Sequence, residues 1–113
     1  MLAKANRVTS GADYRAIVRR GRRAGGPNTV CYIRRSPAET PARFGFIVSK
    51  KVGTAVRRNL VRRRMKAVAY EYVDRLPAGS DIVVRALPGA DQASWDTLHA
   101  EISAAIDRNF GTV

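Results

Sequence analysis

The stretch Ser49-Lys50-Lys51-Val52-Gly53-Thr54-Ala55-Val56-Arg57-Arg58-Asn59-Leu60-Val61-Arg62-Arg63-Arg64-Met65-Lys66 is the part of the chain from which the rest can be placed. Eight of its eighteen residues are basic and none is acidic. Gly53 and Thr54 interrupt the chain after an apolar run, and neither Pro nor Gly recurs until Pro77. This spacing predicts a helix that starts near Thr54, whose hydroxyl can cap it, and runs to about Arg75. At about 100° per residue, Val61, Met65, Val68 and Tyr72 share one stripe, which is the core face. Arg58, Arg62 and Lys66 flank that stripe at i, i+4 and i+8, with Asn59 and Arg63 beside them. Like charges stacked four residues apart cost an isolated helix ~0.2–0.5 kcal/mol per pair. A helix that carries several such pairs has use for a polyanion; the competing reading is a solvated basic face.

The charge distribution favours the polyanion. The chain has 113 residues, 45% hydrophobic and 27% charged, as a globular protein with a single modest core should be. Its net charge of +12 is not that of an average one. Residues 1–66 hold 18 Lys or Arg against Asp13 and Glu39, whereas residues 67–113 hold three Arg against seven acids. One half is therefore expected to bind an anion, with nucleic acid the leading candidate, and the other to be scaffold. No apolar run reaches the ~20 residues that span a bilayer. A membrane-surface helix would set Trp or Phe opposite its charge, where this one offers Val, Met and Tyr. The first residues form no signal-peptide core, and the single Cys31 excludes an internal disulfide, so a cytoplasmic location is expected.

Outward from the basic helix, the chain reads as one α+β domain. Residues 1–8 are expected to be extended or frayed, with Lys4 and Arg7 outward. Ser10, three residues before Asp13, resembles a capping box that opens a helix from Gly11 to Arg20 with Tyr14, Ile17 and Val18 inward. Gly21 ends it, and Gly25-Gly26-Pro27 marks a break. Thr29–Arg35 alternates as a strand, with Cys31 and Ile33 on one face and Val30, Tyr32 and Arg34 on the other. Arg43–Ser49 is apolar on both faces, which predicts a central strand paired with Thr29–Arg35 as an antiparallel hairpin. Asp81–Ala86 is a third strand, Val83 and Arg85 opposite Ile82 and Val84. A last helix over Ser94–Asn109 has Trp95, Leu98, Ile102, Ile106 and Phe110 as its apolar stripe and a solvated acidic side. The strand–helix–strand unit from Arg43 to Ala86 would by default cross over right-handed if its strands are parallel.

The residues offer little for catalysis. Cys31 lies in a strand, and His99 sits at the edge of an apolar stripe with no partner placed by sequence. No Cys/His spacing suits zinc, Lys51-Val-Gly-Thr lacks the spacing of a phosphate-binding loop, and Asp91, Asp96 and Glu101 read as a helix face. No catalytic or metal-ligating residue is expected. Recognition of single-stranded RNA adds aromatic platforms to a basic track. Tyr14, Tyr32 and Val30 can line a groove with Arg34 and Lys50 or Lys51 at its edges; the same spacing is met by two tyrosines packed in a core.

The run Phe44-Gly45-Phe46-Ile47-Val48-Ser49-Lys50-Lys51-Val52-Gly53-Thr54-Ala55-Val56-Arg57-Arg58-Asn59-Leu60-Val61-Arg62-Arg63 resembles the signature of the bacterial ribonuclease P protein component. Asn6-Arg7, Asp13-Tyr14, Arg20-Gly21-Arg22 and Ile82-Val83-Val84-Arg85-Ala86 add to the likeness. The resemblance implies an αβββαβα sandwich, a small sheet packed by three helices, with an uncommon left-handed crossover and a fourth strand that the pattern does not place. It implies an endoribonuclease holoenzyme that removes the 5′ leader of precursor tRNA, the RNA subunit performing Mg²⁺-dependent hydrolysis and holding most of the Mg²⁺. Arg57, Arg58, Asn59, Arg62, Arg63 and Lys66 would contact the catalytic RNA. Tyr14, Val18, Val30, Tyr32, Arg34, Ser49, Lys50 and Lys51 would hold the leader, and the protein would be a monomer. Leu60 stands where the family has an Arg, and Arg64 where it is apolar, as though one Arg had moved a turn along the same side. A ribosomal or other structural RNA-binding protein would share the charge without the groove; an autonomous nuclease would need a cluster of acids that the basic half lacks.

Overall fold

Thr54 does cap the basic helix, its hydroxyl accepting from the Arg57 backbone N–H at 3.4 Å, in a computed structural model that describes residues 2–111. The helix (α2, Ala55–Tyr72) buries Val61, Met65, Val68, Ala69 and Tyr72 and ends in a single 3₁₀ turn over Val73–Arg75. Two further helices open on serine caps. Ser10 accepts from the Asp13 N–H before α1 (Gly11–Arg20), and Ser94 accepts from the Thr97 N–H before α3 (Trp95–Phe110).

Four strands make one sheet: β1 (Arg22–Gly25), β2 (Thr29–Arg35), β3 (Arg43–Ile47) and β4 (Ser80–Ala86), in the order β1-β2-β4-β3. The element order is αβββαβα, as the family resemblance implied. β1 is the fourth strand. Its Arg-Arg-Ala-Gly sequence has neither a β-branched nor an aromatic residue, so no strand signal marks it. The turn after it does the work, with Gly26 N–H donating to Thr29 O at 2.8 Å and folding β1 back on β2.

Two pairing expectations are corrected. β2 and β3 are not a hairpin; both flank β4, β2 antiparallel and β3 parallel to it. Nor is β3 central. It lies at the sheet edge, apolar on both sides because helices pack above and below it. The N-terminal segment covers that edge and is not simply extended: after a 3₁₀ turn at Lys4–Asn6, Val8 N–H donates to Phe44 O at 2.9 Å and the Asn6 amide donates to Ala42 O at 2.8 Å. Covering an edge in this way removes a site for unwanted pairing.

The sheet buries apolar residues on both faces. Cys31, Ile33, Phe44, Ile82 and Val84 meet the stripes of α2 and of α3, where Leu98, Ile102 and Ile106 are fully buried. Val30, Tyr32 and Val83 meet Ile17 of α1 and Val8. Cys31 is enclosed, and burial pushes its thiol up to about 12, so it is a packing residue. The acidic side of α3 is not wholly solvated. Glu101 turns onto the β1–β2 turn, accepting from the backbone N–H and side-chain amide of Asn28 at 2.9 and 2.6 Å and from the N–H and hydroxyl of Thr29 at 3.2 Å.

Candidate nucleic-acid interface

Asn59, Arg63 and Lys66 lie on the side of α2 turned from its core stripe, with half-buried Arg62 at the flank. With Val56 they line an open hollow of about 530 Å³. Asn59 Oδ1 accepts from Arg62 Nη1 at 2.8 Å, which orients that guanidinium along the helix surface. Among the described residues, Arg62, Arg63 and Lys66 form no ion pair within the protein. Their charge is directed outward, where a polyanion can meet it.

Of the other basic residues of α2, Arg57 and Arg64 have internal partners and Arg58 is partly covered. Arg57 Nη1 reaches Asp91 Oδ2 at 3.4 Å while its side chain stays half exposed. Arg58 is half-buried, and its Nε is shut away from solvent without a partner. Arg64 Nη1 donates to the Ala93 carbonyl at 2.8 Å, tying α2 to the segment before α3. The expectation that Arg64 replaces a contact at Leu60 is therefore corrected: Arg64 is a packing and tethering residue, with half-buried Leu60 on the same flank.

A second concavity lies on the α1 side of the sheet. Tyr14, Arg15, Val18, Arg19, Ile47 and Arg85 line a shallow cleft of about 310 Å³. Tyr14 is fixed at its wall, its hydroxyl oxygen accepting from the Phe46 N–H at 3.1 Å and its ring lying over Gly45. A Cβ at residue 45 would fall 2.6 Å from the Tyr14 ring, so the glycine is what lets the tyrosine lie flat against β3. Val30 and Tyr32 lie beneath the cleft, only 2% and 8% exposed, and the Arg85 guanidinium sits 5.8 Å from the centroid of the Tyr32 ring. Neither residue is an open platform. Ser49, Lys50 and Lys51 are exposed just past Ile47, where β3 leads toward α2.

Arg34 is committed elsewhere. Asp81, 4% exposed, accepts from Arg34 Nη2 at 2.9 Å and from Arg43 Nε and Nη2 at 2.9 and 3.1 Å, and Arg43 also reaches Asp13 at 3.2 Å. The register explains this, since Asp81 of β4 sits directly between Arg34 of β2 and Arg43 of β3. Burial by itself would raise the Asp81 pKa, but the hydrogen bonds from Arg43 and Arg34 outweigh it and hold the carboxyl below its usual range. The same bonds raise the pKa of Arg43.

Arg15, Arg19, Ile47 and Arg85 were not among the expected site residues. One signal pointed to two of them, since Arg15 and Arg19 are one turn apart on α1 beside Tyr14 and Val18; nothing in the spacing singles out Arg85, whose strand also carries Asp81. His99 has the acidic partner that sequence alone does not supply, its Nε2 lying 3.0 Å from Glu71 Oε1, with the Trp95 ring 5.5 Å away. Among the described residues no three His, Cys, Asp or Glu side chains are grouped to hold a metal ion. The donor set does not fit a protein-held Mg²⁺, since Asp13, Asp81, Asp91 and Glu101 are taken by internal partners. No helix among the described residues is long and apolar enough to cross a membrane.

The whole arrangement has counterparts. The family described as Ribonuclease P matches residues 2–109. The chain is 54% identical to the ribonuclease P protein component of Clavibacter michiganensis over 113 residues, covering 100% of both chains. It is 47% identical to the same component from an Arthrobacter strain, over 95% of this chain and 79% of that one. A solved Staphylococcus aureus RNase P protein, a mutant with defective mRNA degradation activity, superposes with a TM-score of 0.84 at 25% identity, over 94% of this chain and 89% of that one. The RNase P protein of Thermotoga maritima shares the fold, with a TM-score of 0.77 at 23% identity over 90% of this chain and 96% of that one. Sequence along nearly the whole length and fold together place the chain in the bacterial ribonuclease P protein family, the protein component of an endoribonuclease that has an RNA subunit as partner.

Proposed function

We propose that the chain docks on the catalytic RNA through the outward face of α2 and holds the 5′ leader of precursor tRNA against the α1 cleft, leaving the hydrolysis to the RNA. The observation that carries this reading is the unneutralised charge of Arg62, Arg63 and Lys66 on one helix face, set apart from a second basic concavity at Arg15, Arg19 and Arg85. The first suits the phosphates of a large folded RNA, the second a short single strand. The protein supplies no group for the chemistry, because its thiol is buried and its carboxylates are held by internal partners or scattered. Mg²⁺ belongs with the RNA on this reading, and the protein works as a monomer that lowers the metal concentration the RNA needs by screening its phosphates.

The test is cleavage of a precursor tRNA by the catalytic RNA at low Mg²⁺, with and without the protein. Faster leader removal with protein, and none by protein freed of RNA, is the expected result. Equal rates with and without protein would leave an RNA-binding protein with no part in cleavage.

A further inference from the structure

The outward stripe of α2 continues past its basic part. Asn59, Arg63, Lys66 and Tyr70 are spaced by four, three and four residues, so they stack along one line of the helix surface. Tyr70 closes that line with 57% of its surface exposed, a large aromatic with no core to join. Around it lies a hollow of about 560 Å³ between α2 and the N-terminal segment, lined by Leu2, Arg7, Arg63, Lys66, Ala67, Tyr70 and Glu71. Leu2, Ala67 and the Tyr70 ring make an apolar part; Arg7, Arg63 and Lys66 make a cationic rim. The one acid, Glu71, is engaged by His99 at 3.0 Å.

We propose that this hollow receives an unpaired base of the catalytic RNA, stacked on Tyr70, with the flanking phosphates held by Arg7, Arg63 and Lys66. The proposal rests on the reading of α2 as the surface for that RNA and adds to it a contact made by stacking, at a place remote from the leader cleft. Charge selects the occupant. A second copy of this chain would bring like-charged rims together, whereas a nucleotide offers an aromatic face for the ring and an anion for the rim in one unit.

The experiment titrates full-length catalytic RNA with the wild-type protein and with Tyr70→Ala, Tyr70→Phe, Tyr70→Leu and Lys66→Ala, at several salt concentrations. Tyr70→Ala should lower affinity roughly 5- to 100-fold at every salt concentration. Its slope of log affinity against log salt should equal that of the wild type, because no phosphate contact is lost. Tyr70→Phe should bind within about twofold of wild type and Tyr70→Leu well below it, since the ring and not mere apolar area is needed. Lys66→Ala should reduce the slope by about 0.7–0.9. If the wild type binds with a steep slope and Tyr70→Ala binds equally well, the stack is wrong and the α2 reading stands. If the wild type shows no salt-dependent binding, the α2 reading fails as well. Phe as weak as Ala, or Leu as strong as Phe, overturns the stack. So does a wild-type self-association, seen by sedimentation, that Tyr70→Ala abolishes. Should Tyr70→Ala melt early, the Phe and Leu variants decide the matter between them.

Discussion

Gly45→Ala tests how the α1 cleft is built. The new Cβ would stand 2.6, 2.8 and 2.9 Å from Tyr14 Cε1, Cζ and Oη. Carbon atoms in ordinary contact lie about 3.5–4.0 Å apart, so the ring must retreat by roughly 1 Å. That retreat breaks or lengthens the 3.1 Å bond from the Phe46 N–H, worth about 0.5–1.5 kcal/mol. Overpacking adds about 1–3 kcal/mol, and the lower entropy of an unfolded Ala returns about 0.4–1 kcal/mol. The expected net loss is about 0.5–4 kcal/mol, centred near 2, measured by urea unfolding. It should be accompanied by weaker binding of precursor tRNA, with mature tRNA little affected. The cycle with Tyr14→Ala is the sharper assay. In that background the obstacle is gone, so Gly45→Ala should cost under about 0.5 kcal/mol. The same cost in both backgrounds would refute the claim that residue 45 is small because Tyr14 lies on it.

Three other outcomes follow from the ion pairs and the free cations. Asp81→Asn should destabilise the protein by about 3 kcal/mol at neutral pH, since it leaves Arg34 and Arg43 short of a buried acceptor. The folded pKa of Asp81 lies below its ordinary value of 3.8, so its contribution is complete above that value and is lost as pH falls through the folded pKa; unfolding titrations of the two proteins should therefore converge under acid. Arg85→Ala should weaken precursor tRNA binding by about tenfold with little effect on mature tRNA, whereas Tyr32→Ala, buried beneath it, should cost about 3 kcal/mol of stability; equal losses for both tRNAs with folded Arg85→Ala would count against the cleft. Arg63→Ala should lower the salt slope of RNA binding by about 0.7–0.9 at unchanged melting temperature, and Arg64→Ala should do the reverse, because its guanidinium is spent on Ala93 O.

The helices were legible because their information is local. Ser10 and Thr54 cap where the spacing puts them, and the stripe Val61-Met65-Val68-Tyr72 is the buried side of α2. The alternation of β2 and β4 likewise gave the correct faces. What was hidden depends on neighbours far along the chain. β3 looked central because both its sides are apolar, yet apolarity reports what packs above and below a strand and says nothing of what lies beside it. β1 carries no strand-forming residue and exists because β2 offers it an edge.

The candidate site divides in the same way. Spacing alone turns Asn59, Arg62, Arg63 and Lys66 away from the core, since a helix periodicity decides which way they face. It does not reveal the internal partners of Arg34, Arg57 and Arg64, because Asp81, Asp91 and Ala93 lie about 30 to 50 residues away in sequence. A basic residue in such a chain is free or spent according to contacts that only the fold brings about. The choice between groove and core for Tyr32 was hidden for a related reason: alternation gives the face of a strand, and α1 with Arg85 then covers that face.

The unequal covering of the sheet ties the two proposed RNA surfaces together. One face lies under two long helices, the other under the ten residues of α1, which leave the cleft open. Along that open face the charge is graded. At the start of β3, Arg43 and Arg34 are neutralised by Asp81 and Asp13. At its end Ile47 pairs with Arg85, and the exposed Lys50 and Lys51 follow. A single strand drawn by its phosphates would therefore be held most strongly where β3 runs into the turn before α2. That turn also leads into the helix whose far side carries Arg62, Arg63 and Lys66. The Ser49–Thr54 segment is thus the covalent joint between the two basic surfaces, anchored by buried Val52 and by the Thr54 cap. On the proposed reading, a leader held at one side of this joint has a fixed position relative to RNA docked on the other. Such positioning requires a rigid joint more than it requires a reactive group.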